Sequence, residues 1–252
     1  MGVYTLCFSP TGGTKRVLDL LAAGLADVEE IDLSAPHGAW ADRAFRAGDF
    51  CLIGVPSYGG RVPAAAVERL RTVRGNGAAA VLVTAYGNRD YDDTLLELRD
   101  EAQAAGFRAV AAVAAVAEHS IMRQFGAGRP DEADRAELAD FAARIRKLAE
   151  RGGGRLEQVP GNAPYRAYGG VPMKPKAGRD CTLCGVCAGL CPVEAIPREN
   201  PKETDAEKCI TCMRCVTVCP SHARALNPVM LMGVTQKLKK ACEGRKGNAF
   251  FS

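Results

Sequence analysis

The chain has 252 residues, 47% of them apolar and 25% charged, with 33 basic against 29 acidic side chains and a formal charge of +4. That is enough chain for one or two buried cores, in an ordinary water-soluble composition. The small positive excess is scattered, which argues against nucleic acid as a partner, and no apolar run approaches the roughly 20 residues of a membrane span. The opening M-G-V-Y-T-L-C-F has neither the charged start nor the long apolar stretch of a secretion signal, so a cytoplasmic protein is expected.

Residues 1–150 alternate strand and helix patterns. V-Y-T-L-C-F (3–8) reads as a strand ending at a Gly-rich turn, followed by a helix over about 15–25 with Val17, Leu18, Leu21 and Leu25 at helical spacing. A second strand is expected over 28–33. F-C-L-I-G-V (50–55) is apolar on both faces, as a central parallel strand should be. Pro63 opens a helix as its first residue. G-N-G-A-A-A (75–80) precedes a strand instead of following one and reads as a turn, not a dinucleotide loop. A-A-V-L-V-T (79–84) is the fourth strand, 92–105 a helix, and 107–117 a fifth strand whose alanines also permit a helix. Asp131 begins a long last helix with Leu138, Phe141, Ile145 and Leu148 inward. Together these predict an α/β domain with a doubly wound parallel sheet.

From R-G-G-G-R (151–155) to about 178 Gly and Pro recur without a period, which reads as a linker whose Val159, Tyr165, Tyr168 and Val171 could pack. A Cys-rich module follows over 179–227. Residues 228–252 form a tail: Asn227-Pro228 is a helix start, Val229, Leu231, Val234 and Leu238 supply an apolar face, and Met230 and Met232 read as packing. Phe250 and Phe251 at its end are open between a docking anchor and a frayed terminus.

Eight of the eleven cysteines lie between Cys181 and Cys219. C-T-L-C-G-V-C-A-G-L-C-P (181–192) and C-I-T-C-M-R-C-V-T-V-C-P (209–220) share the pattern C-x₂-C-x₂-C-x₃-C-P, and a shift of 28 positions superimposes them. Three thiolates at this spacing can reach three corners of one iron–sulfur cubane, and the fourth, before Pro, reaches the other cluster. Zinc sites pair C-x₂-C units and would leave half of these cysteines unexplained. Cys7 and Cys51 sit in strands and read as small buried side chains, and Cys242 as a free thiol.

The module resembles the bacterial two-cluster ferredoxins. The resemblance implies that Cys181, Cys184, Cys187 and Cys219 hold one 4Fe–4S cluster and Cys209, Cys212, Cys215 and Cys191 the other, in a small α+β fold.

S-P-T-G-G-T-K (9–15) lies between the first strand and the first helix. Helix N-terminal N–H groups bind phosphate, glycines let it approach, and Ser9, Thr11 and Thr14 add hydroxyls. Ser9, Thr11, Gly12, Gly13, Thr14 and Lys15 are therefore candidate phosphate-binding residues. This loop is similar to that of flavodoxins, which implies FMN as the cofactor. By that resemblance the loops P-S-Y-G-G-R-V-P (56–63) and A-Y-G-N-R-D-Y (85–91) flank the flavin ring. Ser57, Tyr58, Gly59, Gly60, Tyr86, Gly87, Asn88 and Tyr91 are then candidates, with Tyr58 and Tyr86 for stacking and Gly59 or Gly60 for a carbonyl facing flavin N5. His119, after the fifth strand, is either near the flavin or a hydrogen-bonded loop residue.

The whole chain resembles flavodoxin–ferredoxin fusions. This implies a flavodoxin-like domain with a small C-terminal two-cluster ferredoxin-like domain, acting in electron transfer between FMN and two 4Fe–4S clusters. The implied partner is a redox protein or a flavin reductase. The alternative is a flavin-dependent oxidoreductase whose clusters feed a small substrate; no acid–base pair or nucleophile constellation stands out in the sequence to support one.

Overall fold

The computed structural model describes all residues from Met1 to Ser252. β1 (Val3–Cys7) is followed by α1 (Gly13–Leu21), β2 (Val28–Asp32), β3 (Phe50–Pro56), α2 (Ala64–Leu70), β4 (Ala79–Tyr86), α3 (Thr94–Ala104), β5 (Arg108–Val116) and α4 (Glu132–Glu150). Every residue of β4 is buried, as is all of β5 after Arg108. Strands covered on both faces by helices need no alternation of polar and apolar residues. The alanine run of β5 is thus a strand, and its small side chains let helices approach closely. The parallel strands run in the order β2-β1-β3-β4-β5, the flavodoxin-like order.

Helix boundaries follow local chemistry. α1 ends three residues before Gly24, which takes φ 85°. Pro63 is the residue before α2 rather than its first. Asp131 caps α4 in a reciprocal box with Asp134.

The sheet has a sixth strand, β8 (Ala249–Phe251), antiparallel to β5. It satisfies the exposed backbone edge of β5. Phe250 packs against Phe141, ring centroids 5.4 Å apart, with the Arg144 guanidinium over its ring, while Phe251 joins the core on the opposite face.

The segment after α4 has no regular structure up to Lys176, yet it is tied down. Asp93 accepts from the backbone N–H groups of Asn162 (2.8 Å) and Arg166 (2.7 Å), Tyr165 donates to Asp100, and Arg61 donates to the Arg166 carbonyl. It crosses the ends of the strands and leads into the Cys-rich module, built from β6 (Lys176–Ala177), the one-turn helices α5 (Val186–Gly189) and α6 (Arg214–Thr217), and β7 (Arg224–Ala225), which pairs with β6. The small sheet thus draws 176–177, read from composition as linker, into the module. β8 likewise draws the end of the tail into the large sheet.

α7 (Pro228–Leu238) is capped by the Asn227 side chain, which accepts from the N–H groups of Val229 and Met230. Leu231 and Val234 pack on Met173, Met213 and Leu226. Met230 and Met232 are exposed, contrary to the packing expected of them, as is Val229. The inward stripe runs through 231, 234 and 238, so these three fall on the outer side of the helix. No helix is long and apolar enough to cross a membrane.

Candidate functional site

The loops after β1, β3, β4 and β5 converge at the carboxyl ends of the parallel strands, where the strand order reverses between β1 and β3. Open α/β sheets bind ligands at this place. Gly12 precedes α1 at φ 85°, in the left-handed region that favours glycine, and lets the chain turn directly into the helix. The Ser9 hydroxyl accepts from Lys15 N–H at 2.9 Å. The N–H groups of Thr11, Gly13 and Thr14 find no acceptor within the chain, and no acidic residue occupies the first turn of α1. Ser9, Thr11, Gly13 and Thr14 line a small cavity with Ser57, Gly87 and His119. Free N–H groups at a helix start beside hydroxyls suit a phosphate. Lys15 departs from expectation: its ammonium lies 2.8 Å from both Asp19 and Glu30, so two carboxylates draw it away from the cradle.

The cradle opens into a second cavity of about 360 Å³ that shares Ser57, Tyr58, Gly87, His119 and Ser120 with the first. Its other walls come from distant parts of the chain: Arg166–Gly169 and Met173 of the crossing segment, Ile210 and Thr211 of the second cysteine run, and Val234, Leu238 and Cys242 of the tail. Tyr58 stands at this junction, and burial, with Cys212 and Tyr168 nearby, holds its phenol well above the usual range. Gly59 and Gly60 both have positive φ; a Cβ on Gly59 would strike the Tyr168 ring at 2.3 Å, and one on Gly60 the Asp92 carboxylate at 2.2 Å. Glycine is required here because the crossing segment lies directly on the loop.

Three further candidates are engaged by their neighbours. The Tyr86 hydroxyl donates to the Gly247 carbonyl at 2.6 Å, and its ring meets Tyr91 edge-on. The Asn88 amide donates to the Cys242 and Gly244 carbonyls, and its oxygen accepts from Arg129 and Lys246 N–H. Tyr86 and Asn88 therefore hold the tail against the loop after β4, and Tyr91 packs on Tyr86. Arg61 is paired with Glu97 through two hydrogen bonds.

His119 lines both cavities. Its Nδ1 accepts from the N–H groups of Ile121 (3.1 Å) and Met122 (3.2 Å), which leaves the proton of the neutral ring on Nε2. Burial, assisted by Arg89, pushes its pKa down to about 4. Between the ordinary value of 6.5 and 4 the unfolded chain takes up a proton that the folded one refuses, so stability falls as pH falls through this window. The His119→Gln variant is expected to lose a pH-dependent increment of about 3 kcal/mol across it. Urea unfolding of both proteins at pH 4 and pH 7 measures this; parallel stabilities at both pH values would contradict it.

The cysteines surround two cavities. Cys181, Cys184, Cys187 and Cys219 line one, and Cys191, Cys209, Cys212 and Cys215 the other. No three Cys, His, Asp or Glu side chains are placed to hold a single metal ion; thiols ringed around a cavity suit a polynuclear cluster.

The sequence duplication is also a backbone duplication. Positive φ recurs at the 28-residue spacing: Leu183 and Thr211 (59° and 54°), Gly185 and Met213 (75° and 66°), Glu194 and His222 (50° and 52°). α5 and α6 obey the same shift. So do the hydrogen bonds from Ala195 N–H to Cys191 Sγ and from Ala223 N–H to Cys219 Sγ, both 3.3 Å. N–H donors aimed at sulfur stabilise thiolate ligands.

Residues 175–244 match the model of the 4Fe-4S dicluster domain family. This segment is a 4Fe-4S dicluster domain. The chain thus joins a flavodoxin-like sheet to a dicluster ferredoxin domain. Among solved structures, the N-terminal part is similar to a flavodoxin of Streptococcus pneumoniae TIGR4 (17% identity, 58% of this chain and 99% of that one, TM-score 0.41). It is also similar to a Fusobacterium nucleatum flavodoxin bound to flavin mononucleotide (13%, 58% and 96%, TM-score 0.37) and to rubredoxin oxygen:oxidoreductase of Desulfovibrio gigas (14%, 60% and 36%, TM-score 0.43). No curated protein matches the chain.

The sequence marks Tyr168, Val171, Val234 and Leu238 as packing residues, and all four line the cavity, but it does not show that the crossing segment, Ile210–Thr211 and the tail wall one space. All three arrive through packing between parts far apart in the chain. For Ile210 and Thr211 the available signal was their position inside the second dicluster run.

Proposed function

We propose that the chain carries electrons between FMN, bound at the edge of the flavodoxin-like sheet, and two 4Fe–4S clusters in the dicluster domain. The carrying observation is the cavity wall. Ile210 and Thr211 face the same space as Ser57, Tyr58 and Gly87, and they lie between Cys209 and Cys212 in the chain. FMN exchanges electrons singly or in pairs, whereas a 4Fe–4S cluster passes one at a time.

The residues divide the work. Thr11, Gly13 and Thr14 offer neutral donors to a phosphate, with Gly12 shaping the turn and Ser9 bracing it. Lys15 and Arg61 are neutralised by carboxylates, so the phosphate meets the helix N-terminus and hydroxyls alone. Ser57, Tyr58, Gly59, Gly60 and Gly87 border the ring space, and the crossing segment and tail exclude water from it. Each cysteine set holds the cluster whose cavity it lines. A redox protein or a flavin reductase exchanges electrons with the assembly.

Anaerobic purification with iron, sulfide and flavin quantitation tests the reading: about eight irons and eight sulfides per chain are expected, the content of two cubanes, with FMN. Zinc in place of iron, or FAD in place of FMN, would refute it. Thr11→Val and Thr14→Val are each expected to weaken FMN binding by about 1–3 kcal/mol per lost hydroxyl contact, read by fluorescence titration. Unchanged affinity in both would reduce this loop to a turn.

A further inference from the structure

Of the positions buried in both duplicated halves, one differs in residue type. Ile196 follows Cys191 by five residues, and its counterpart at the 28-residue shift, following Cys219, is Arg224. Ile196 is 4% exposed and lines the cavity of Cys191, Cys209, Cys212 and Cys215. Arg224 is 2% exposed and lines the cavity of Cys181, Cys184, Cys187 and Cys219. No carboxylate pairs with it. Its Nη1 donates to Thr204 Oγ1 (2.9 Å) and the Pro175 carbonyl (3.3 Å), and its Nη2 to the carbonyls of Pro201 (2.6 Å) and Glu203 (2.9 Å). Its Nε is buried and has no acceptor.

A buried cation without a counter-charge is costly, and a buried N–H without an acceptor adds to the cost. An anion in the adjacent cavity removes both penalties. A cubane held by four thiolates is such an anion, and reduction adds one more negative charge to it. A positive charge and a hydrogen-bond donor beside the sulfurs stabilise the reduced form and raise the potential.

We propose that Arg224 is the counter-cation of the cluster held by Cys181, Cys184, Cys187 and Cys219, and sets its potential above that of its twin. This rests on the reading that both cradles hold 4Fe–4S clusters. One electron then passes from the cluster beside the flavin cavity, which is oxidised, to the outer one, which is reduced, with no bond made or broken. The guanidinium also binds Pro175 and Thr204, which line the inner cradle, so both potentials rise, the outer one more because Arg224 itself lines only the outer cavity. Cys184 in the outer cradle is exposed, and hydration favours its reduced state in the same direction.

The test is a potentiometric titration of the anaerobic holoprotein followed by electron paramagnetic resonance, after iron and sulfide have been counted. The native protein is expected to show two waves separated by at least a tenfold preference in the electron's distribution, about 59 mV for a one-electron couple. Arg224→Lys keeps the charge without the Nε–H and should narrow the separation. Arg224→Gln should narrow it further by lowering the upper wave. Coincident waves in a native protein that holds both clusters would overturn the proposal, and so would a separation unchanged in Arg224→Gln. Native preparations with fewer than two clusters would overturn the underlying reading instead. Should either variant fail to assemble, the native titration still decides.

Discussion

Removing residues 245–252 is expected to destabilise the N-terminal domain by about 4–6 kcal/mol, from two partly buried phenylalanines and a set of hydrogen bonds worth about 1 kcal/mol each. That is a large part of the roughly 5–15 kcal/mol that holds a domain together. The deletion removes all of β8, and with it the Phe250 contact to Phe141 and the Phe251 contact on the other face. It also removes Asn248, whose oxygen accepts from Val116 N–H at 2.8 Å and whose amide donates to Asp134 and Glu137. Arg129 loses the Lys246 carbonyl but keeps Asp134, while Asp131, partly open to solvent, loses its ion pair with Arg245. Tyr86 loses the Gly247 carbonyl, and the loop after β4 loses part of its clamp. Flavin affinity should therefore fall together with stability. Urea unfolding followed by circular dichroism and by flavin fluorescence measures both. A loss below about 1 kcal/mol would show that β8 is an ornament on a sheet complete without it, since a single edge hydrogen bond accounts for that much.

The parts of the fold legible in the sequence are those set by short-range pattern. F-C-L-I-G-V and A-A-V-L-V-T announce central strands, because burial on both faces demands uninterrupted apolar residues. The cysteine runs are legible for the same reason: ligand spacing is a local property, and the duplication marks it twice. β8 is not legible. Ala249–Phe251 is too short to carry a period, and only the unpaired edge of β5, which Asn248 meets at Val116, 132 positions earlier, makes it a strand. The loops around the candidate flavin site divide in the same way. Glycines at 12, 59 and 60 show in the sequence because backbone conformation is local. Where Lys15 points is decided by Glu30 on β2, and where Tyr86 and Asn88 point is decided by the tail. Position in a loop predicts where a backbone goes; the side chain follows partners that the loop does not contain.

Electron delivery to the outer cluster is expected to require the inner one. In the proposed arrangement the flavin cavity touches the dicluster domain through Ile210 and Thr211, and the cysteines that bracket Thr211 belong to the inner cradle. Thr211 is buried, its hydroxyl donates to the Met173 carbonyl at 3.0 Å, and Lys174 binds the Cys209 carbonyl at 2.6 Å, so this wall is fixed. Further contacts hold the domain in place. Arg69 donates to the carbonyls of Leu33 in the first domain and Pro192 in the second, and Val193 and Ile210 pack on the core of the large sheet. No residue of the outer cradle's Cys181–Cys187 run lines the flavin cavity. Flash reduction of the flavin should therefore reduce the inner cluster first, then the outer, at rates independent of protein concentration. Cys212→Ala, which removes an inner ligand, should abolish the fast phase at both clusters. Cys184→Ala, which removes an exposed outer ligand, should leave the flavin-to-inner-cluster phase intact. Rates that rise with protein concentration would mean that electrons travel between molecules. A Cys212→Ala protein that still reduces its outer cluster at the native rate would show that the wall at Thr211 is not the route.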